Sequence, residues 1–339
     1  MNGLLEPLVS ITTPVYNGER YLAECIESVL AQTYQNWEYV IVNNCSTDGT
    51  LDIANRYSCR DNRITIVNCR DFVGVIENHN RAFRLISQGS KYCKVVSADD
   101  WIYPECLGEL VTVAETYPSA GIVGSYTITG KEVRWCGVPL QTHCIDGREI
   151  CRLYLNGHYT FGAPSALLYR ADIVKQTDPF FTGSGSSADT AACLAVLRHW
   201  DFGFVHKILS FERVHDECIS SHVATLNCFL LDRIEFLLTY GQYFLRGVEQ
   251  EERLEALLTK YYKDLAVAIV NFREREFWDY QRARVSAMGL ALSKRRIATA
   301  TLAKLMELGL NLQQTASKIA RRVNGRSQPA TGFAKRRLA

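Results

Sequence analysis

Within the first 130 residues, short β-branched runs alternate with amphipathic helical runs, and that alternation restricts the chain to a βαβ architecture with a mainly parallel sheet. Strands are expected over 8–13, 39–42, 64–67, 94–96 and 121–126, and helices over 20–31, 50–57, 75–86 and 104–116. In the first helix Leu22, Cys25, Ile26 and Leu30 follow a 3.6-residue period. Pro104 suits the first turn of the last one, where its missing N–H costs nothing.

Beyond residue 130 the pattern loosens. Residues 131–215 read as loops, short strands and one helical run over 189–197, the kind of extended connection that carries binding surface. From Ala224 onward the sequence is helical, with one apolar stripe at Phe229, Leu230, Ile234, Leu237 and Leu238 and another beginning at Leu302, Leu305 and Met306. A chain of 339 residues with 47% hydrophobic content accommodates one large domain and an appendage.

The formal charge of +2 argues against a nucleic-acid partner, whose phosphates would call for many cations. The balance conceals an asymmetry: residues 294–337 hold 11 basic residues and one acid, Glu307, so this stretch carries +10 and the remainder −8. A solvated basic helix face with a disordered end is one reading of it. Docking on an anionic membrane surface is the other. No window offers about 18 uninterrupted apolar residues, so a membrane span is not expected. The 12 cysteines lack CxxC spacing and companion histidines, which disfavours zinc. No basic and then apolar leader opens the sequence, so the thiols are expected to be free and the location cytoplasmic, with peripheral contact at the inner face of the membrane as an option.

In an open parallel sheet, ligands sit beyond the carboxyl ends of the strands. After the first strand comes Thr13-Pro14-Val15-Tyr16-Asn17-Gly18-Glu19: Pro14 is expected to stop the strand, Tyr16 to offer an aromatic face to a base, and Asn17-Gly18 to turn the chain into a helix whose N-terminus favours anions. After the second comes Asn43-Asn44-Cys45-Ser46-Thr47-Asp48-Gly49-Thr50. Ser46, Thr47 or Asp48 suits a helix cap, while the amide oxygen of Asn43 is expected to be freer to accept from a nucleobase. After the fourth comes Ser97-Ala98-Asp99-Asp100-Trp101. Two adjacent acids behind an apolar strand repel each other unless a cation or donor compensates, and hard oxygen ligands suit Mg²⁺ or Mn²⁺; Asp99 is read as the metal ligand and Asp100 as a helix cap.

Taken together these motifs resemble the family 2 glycosyltransferases of the GT-A fold. The resemblance runs through Val9-Ser10-Ile11-Thr12-Thr13-Pro14-Val15-Tyr16-Asn17-Gly18, through Ser28-Val29-Leu30-Ala31-Gln32-Thr33-Tyr34, through Ser46-Thr47-Asp48-Gly49-Thr50, and through Gly74, Asn78 and Asn80 to the DXD-type element at Ser97-Ala98-Asp99. It covers about residues 8–215. It implies an α/β fold of GT-A type with a mixed, mainly parallel sheet flanked by helices and a helical C-terminal region. It also implies a nucleotide-sugar donor, a UDP-sugar first, held by Pro14, Tyr16, Asn17, Glu19, Asn43, Asn80, Ser97 and Ala98, with diphosphate and a divalent metal, Mn or Mg, at Asp99. Asn43 stands where the family usually has Asp, which opens the identity of the base. Ser97 stands where the first DXD acid is expected.

Ser186-Ser187-Ala188-Asp189-Thr190 resembles the family's ED motif, whose aspartate is the general base; Asp189 takes that role here, with Ala188 in place of the Glu and an N-cap as the rival reading. Phe211-Glu212-Arg213-Val214-His215 resembles the closing RxH element, and His215 is expected at the metal or the leaving diphosphate. Phe161-Gly162-Ala163-Pro164-Ser165-Ala166 is similar to the acceptor-side strand, and 183–186 forms a loop suited to closing over a donor.

The implied organisation is a catalytic domain over 1–220, a helical region over 221–324 and a basic tail over 325–339. The implied function is inverting, nonprocessive transfer of a hexosyl or N-acetylhexosaminyl group to a saccharide or lipid-linked acceptor in cell-surface polysaccharide or glycolipid synthesis; a processive synthase would carry a span and a QxxRW motif. A noncatalytic sugar-nucleotide-binding module is the alternative. A nucleotidyltransferase would need a glycine-rich basic loop near the N-terminus, which the sequence lacks.

Overall fold

The computed structural model describes residues 6–134, 137–182, 187–215 and 226–310. The loop 183–186, Asp216, His222 and everything from residue 311 on lie outside the described residues.

The chain forms two compact units, one reaching to Leu254 and one from Glu255 onward. In the first, β1 (Val9–Val15), β2 (Trp37–Asn43), β3 (Ile64–Asn68) and β4 (Tyr92–Val95) alternate with α1 (Leu22–Leu30), α2 (Thr50–Ser58) and α3 (Val75–Arg84). There follow β5 (Trp101–Ile102), α4 (Cys106–Thr116), β6 (Ala120–Thr129), β7 (Glu132–Arg134), β8 (Cys144–Ile145), α5 (Gly147–Leu155), a 3₁₀ turn over Pro164–Ala166, β9 (Leu167–Arg170), α6 (Ala171–Gln176), α7 (Ala188–Val196), β10 (Asp201–Glu212) and α8 (Cys228–Phe244).

The strands make one sheet in the order β3-β2-β1-β4-β9-β6-β10-β5, with β7 beside β6 and β8 beside β10. β1, β2, β3 and β4 pair in parallel, as do β6 and β10; β9 enters antiparallel between β4 and β6. All seven residues of β1 are buried, because helices cover both faces of a parallel sheet. α1 seats Leu22, Cys25, Ile26 and Val29 in the same core as Ile11, Tyr39 and Leu107. The sheet is therefore mixed but mainly parallel, as the sequence implies.

Chain order reverses at β1, whose successor β2 lies on one side and β4 on the other, so a crevice opens where the loops after β1, β2 and β4 meet.

Two local expectations are corrected. Pro14 does not end β1, which runs on to Val15. Thr12 accepts from Val96 on the β4 side, whereas Val15 accepts from Asn44 on the β2 side. Pro14 shares the parity of Thr12, so its missing N–H falls past the end of β4, where no bond is lost. The acceptor-side strand expected over 161–166 is a 3₁₀ turn, and extended structure begins only at Leu167.

α8 buries Leu230, Ile234 and Leu237 and leaves Phe229 exposed. The first unit includes this helix and the start of α9 (Gly247–Val270). The second unit comprises the rest of α9 with α10 (Arg275–Ala287) and α11 (Lys294–Leu310). A buried hydrogen bond from the Tyr261 hydroxyl to Oε1 of Gln281, 2.8 Å, joins α9 to α10. Among the described residues no helix is long and apolar enough to cross a membrane. The ten cysteines among them are all free, and six are buried, as small apolar side chains would be.

Candidate active site

The loops after β1 and β2 brace each other. Asn17 adopts a left-handed conformation at φ 52°, which Asn tolerates, and its Oδ1 accepts from the backbone N–H of Thr47 at 2.8 Å while its own N–H donates to Ser46 Oγ at 2.9 Å. The N–H of Gly18 donates to Thr50 Oγ1 at 2.8 Å, and Glu19 Oε2 accepts from the N–H of Gly49 at 3.0 Å. A Cβ on Gly18 would stand 2.6 Å from Val15 Cγ2, so only glycine fits there. The N-cap of α2 is Gly49, so none of Ser46, Thr47 and Asp48 is the cap, but Asp48 just before it serves the first helical amide: its Oδ1 accepts from Thr50 N–H at 3.1 Å. Burial pushes this carboxyl up, but the Thr50 hydroxyl and the N–H groups of Glu19 and Thr50 outweigh it and hold Asp48 below its ordinary range.

Tyr16 is half exposed at the mouth of the crevice, edge-on to the exposed Phe72, with ring centroids 4.8 Å apart. The two rings touch and present one exposed aromatic platform. Asn43 is less free than expected: it is buried, its Nδ2 donates to Asn68 Oδ1 at 2.8 Å, and its Oδ1 accepts from Ser46 N–H at 3.3 Å. Asn80 is not directed at a donor. Buried in α3, it clasps the backbone of Phe181, donating to the carbonyl at 2.9 Å and accepting from the N–H at 2.8 Å. Asn44, unremarked in the sequence, does the same to Val73 at 2.8 and 3.0 Å.

The acid pair follows β4. Asp99 is partly exposed, and its Oδ2 lies 3.2 Å from Nε2 of His215, which arrives from the end of β10. The His215 ring packs against Tyr21, 5.0 Å between centroids. Arg213 locks this corner: its Nε donates to the Asp99 carbonyl at 3.0 Å, and its guanidinium lies 4.5 Å over the Tyr21 ring. Ala98 packs into the core cluster beneath the loop.

Asp100 is not a helix cap. It is buried; Oδ1 accepts from the backbone N–H of Arg213 at 3.0 Å, and Oδ2 accepts from the Ser165 hydroxyl at 2.6 Å. Ser165 Oγ also accepts from the N–H of Ser97 at 3.0 Å. Below it, the fully buried Lys94 donates to the carbonyl of Ser165 at 2.8 Å and that of Leu167 at 3.3 Å. Burial drives Lys94 below the ordinary lysine range. Burial, and then the charge of Asp99, holds Asp100 above the usual carboxylate range.

Because the folded state favours the proton on Asp100, its contribution to stability declines as pH rises above about 4, the unfolded carboxyl value. Asp100→Asn in the metal-free chain is therefore expected to gain on the parent as pH rises. Asp100→Ala removes the acceptor of both the Arg213 backbone N–H and the Ser165 hydroxyl and is expected to cost about 2–4 kcal/mol. Thermal unfolding at acid and alkaline pH separates the two; equal losses in both variants would mean the carboxylate is charged and well solvated.

Asp189 lies in the first turn of α7. The residue at the N-cap is Ser187, so Asp189 is not the cap. Burial pushes Asp189 up to about 6. Ser187 Oγ donates to Asp232 Oδ2 of α8 at 2.8 Å, and a cleft of about 140 Å³ lined by Thr182, Ser187, Ala188, Asp232, Phe236 and Tyr240 opens at this end of α7. Asp178 is occupied elsewhere by Arg84, at 2.7 Å.

Among the described residues, no three His, Cys, Asp or Glu side chains converge as a metal site. The fit of Asp99 and His215 to a metal rests on their spacing. Ligands at adjacent corners of an octahedral ion with bonds of about 2.1 Å stand about 3 Å apart, which matches this pair, and such ions take their remaining ligands from water and substrate phosphates.

A mainly parallel sheet whose order turns at β1, with Asp99 and the braced loops after β1 and β2 at the carboxyl ends of its strands, is a fold of the GT-A class. The fold is shared with the S. aureus TarS fragment 1–349 in complex with UDP-GlcNAc, at a TM-score of 0.60 and 16% identity over 86% of this chain and 82% of that one. It is shared as well with the mannosyltransferase PcManGT of Pyrobaculum calidifontis in complex with GDP-Man and Mn²⁺, at a TM-score of 0.51 and 15% identity over 92% and 84%. Residues 10–177 match the Glycosyl transferase family 2 model, and the chain belongs to that family. A putative teichuronic acid biosynthesis glycosyltransferase, TuaG, of Bacillus subtilis (strain 168) is 40% identical over 96 residues, 28% of this chain and 38% of the relative. The matched stretches span 38–40% of the length of the first curated relatives.

Proposed function

We propose that the chain is an inverting, nonprocessive glycosyltransferase that moves a sugar from a nucleoside-diphosphate donor to an acceptor hydroxyl in polysaccharide or glycolipid synthesis. The observation that carries this reading is the Asp99–His215 pair, 3.2 Å apart on the rim of the switch-point crevice. The nucleotide ligands of TarS and PcManGT support the donor class, and TuaG supports the pathway class.

In this reading the base of the donor stacks on the aromatic platform that Tyr16 and Phe72 make together, and the remaining lone pair on Asn43 Oδ1 meets its edge. The braced loop Asn17-Gly18-Glu19 orients the nucleotide; the diphosphate reaches Asp99 and His215. Asp99 and His215 would hold a divalent cation, which would supply neutralisation of the charge growing on the leaving diphosphate. Asp100, Ser165 and Arg213 keep Asp99 in place. Asp189, ionised above its raised value, removes the proton from the acceptor hydroxyl as it attacks the anomeric carbon from the face opposite the leaving group, which inverts the centre. The acceptor sugar enters by the α7–α8 cleft, which is lined by Ser187 and Ala188, the two residues before Asp189.

Isothermal titration of the full chain with UDP-GlcNAc, UDP and GDP-mannose, with and without Mn²⁺, tests the donor half. Manganese is expected to tighten the preferred nucleotide at least about tenfold, a difference that Asp99→Ala abolishes. Affinity indifferent to manganese would remove the cation from the mechanism; no uptake of any sugar nucleotide would remove the reading altogether. Asn43 and Ala188, which depart from the family pattern, favour a second reading as a binding module without turnover, and that reading predicts tight binding with no release of UDP in the presence of any acceptor.

A further inference from the structure

Helix α11 half-buries one face and leaves an apolar one exposed. Its inner face, with Ile297, Thr301, Lys304 and Leu308, is half-buried. The start of the helix is tied to α9 by the N–H of Ser293 donating to the Tyr262 hydroxyl at 3.0 Å and by Arg296 lying 5.1 Å over the Tyr262 ring. The outer face carries Leu302, Leu305 and Met306, which are 61%, 52% and 60% exposed. Spacings of three, four and seven residues put them on one side of the helix with Arg295, which is exposed, as is the adjoining Lys294. Three large apolar side chains in succession are more than the scattered exposure of an ordinary surface.

Charge identifies what covers them. Residues 294–337 hold 11 cations against the single acid Glu307, which is within 2.9 Å of Lys304. An apolar face of a protein partner would not need so one-sided a field, whereas a bilayer with acidic headgroups offers hydrocarbon to the leucines and methionine and anions to the lysines and arginines.

We infer that the outer face of α11 is a docking surface for an anionic lipid bilayer, with Leu302, Leu305 and Met306 entering the headgroup boundary and Lys294 and Arg295 meeting phosphate. Such docking does not depend on the proposed transfer reaction and is measured without it. It would bring a lipid-linked acceptor to the enzyme by confining the search to a surface.

Co-sedimentation of the full chain with phosphatidylglycerol-containing vesicles and with pure phosphatidylcholine vesicles provides the test. Binding is expected only to the former and to weaken as salt shortens the screening length from about 8 Å at physiological strength to about 3 Å at 1 M. At about tenfold per 1.4 kcal/mol, loss of two interfacial cations in Lys294→Gln/Arg295→Gln is expected to weaken it about 30-fold. Leu302→Ser/Met306→Ser is expected to weaken it at least about tenfold. Both pairs are on the surface, and circular dichroism verifies that they fold. Binding equal on both vesicle types, binding unchanged in the apolar pair, or a parent that is dimeric by light scattering and becomes monomeric in that pair would each overturn the inference, the last assigning the face to a second copy.

Discussion

Asp189→Asn is expected to lower the transfer rate by about 10²- to 10⁴-fold, the range of a positioned general base, while leaving nucleotide affinity as in the parent. The side chain stands on α7, whereas the nucleotide loops follow β1, β2 and β4. The variant is isosteric, so the loss reports chemistry rather than packing. Burial raises the Asp189 carboxyl to about 6, and the base acts only when ionised, so the parent rate should fall as pH drops through that value. The residual activity of Asp189→Asn should show no such limb. A pH–rate profile with saturating donor checks both statements; a variant with parental turnover, or one that keeps the same acid limb, would show that another group takes the proton.

The second large effect is on stability. Lys94→Ala is expected to destabilise the fold by about 3–5 kcal/mol, since it opens a cavity under the acid pair and removes the donor that holds the Ser165 carbonyl. Against a total of about 5–15 kcal/mol that is a large share. Lys94→Met keeps the volume and loses only the donor, so about 1–3 kcal/mol is expected. The folded value of Lys94 lies below the unfolded value of about 10.4, so unfolding takes up a proton between the two, and the parent should gain stability as pH rises through that window. Neither variant should retain that gain. Urea unfolding at several pH values measures it, and a Lys94→Ala midpoint equal to the parent's would mean the ammonium group reaches water.

The parallel half of the fold was legible because β1, β2 and β4 are buried along almost their whole length and the edge strand β3 is rich in β-branched residues. The expected strands over 8–13 and 64–67 are Val9–Val15 and Ile64–Asn68, and the helix over 104–116 is Cys106–Thr116. β10 was not legible. Its pairing with β6 shifts register between Val205 and Ile208, so the alternation that marks a strand is broken in the middle. β5 and β8 are two residues long, too short for any period to register.

At the site, Asp99 and His215 stood out as motif residues, yet their proximity depends on two strand ends 116 positions apart. Lys94 carried no signal, because a lysine in a strand reads as an exposed edge, and Ser165 was read only as part of an acceptor-side strand. Their contact joins positions 71 apart. Asn80 was misjudged for a related reason: an amide looks the same in sequence whether it serves a ligand or a distant peptide group.

The paired amide contacts of Asn44 with Val73 and of Asn80 with Phe181 have an evolutionary corollary. Each grips main chain alone; Phe181 is in addition fixed by its buried ring, but what projects from exposed Phe72 and from Val73 can be exchanged without moving the segment that bears it. In the proposed reading the wall facing the nucleobase thus resembles a replaceable panel in a fixed frame, and a shift of base preference between descendants of this scaffold is expected from new side chains at Phe72 or Val73, with the corner at Asp99 and His215 left undisturbed.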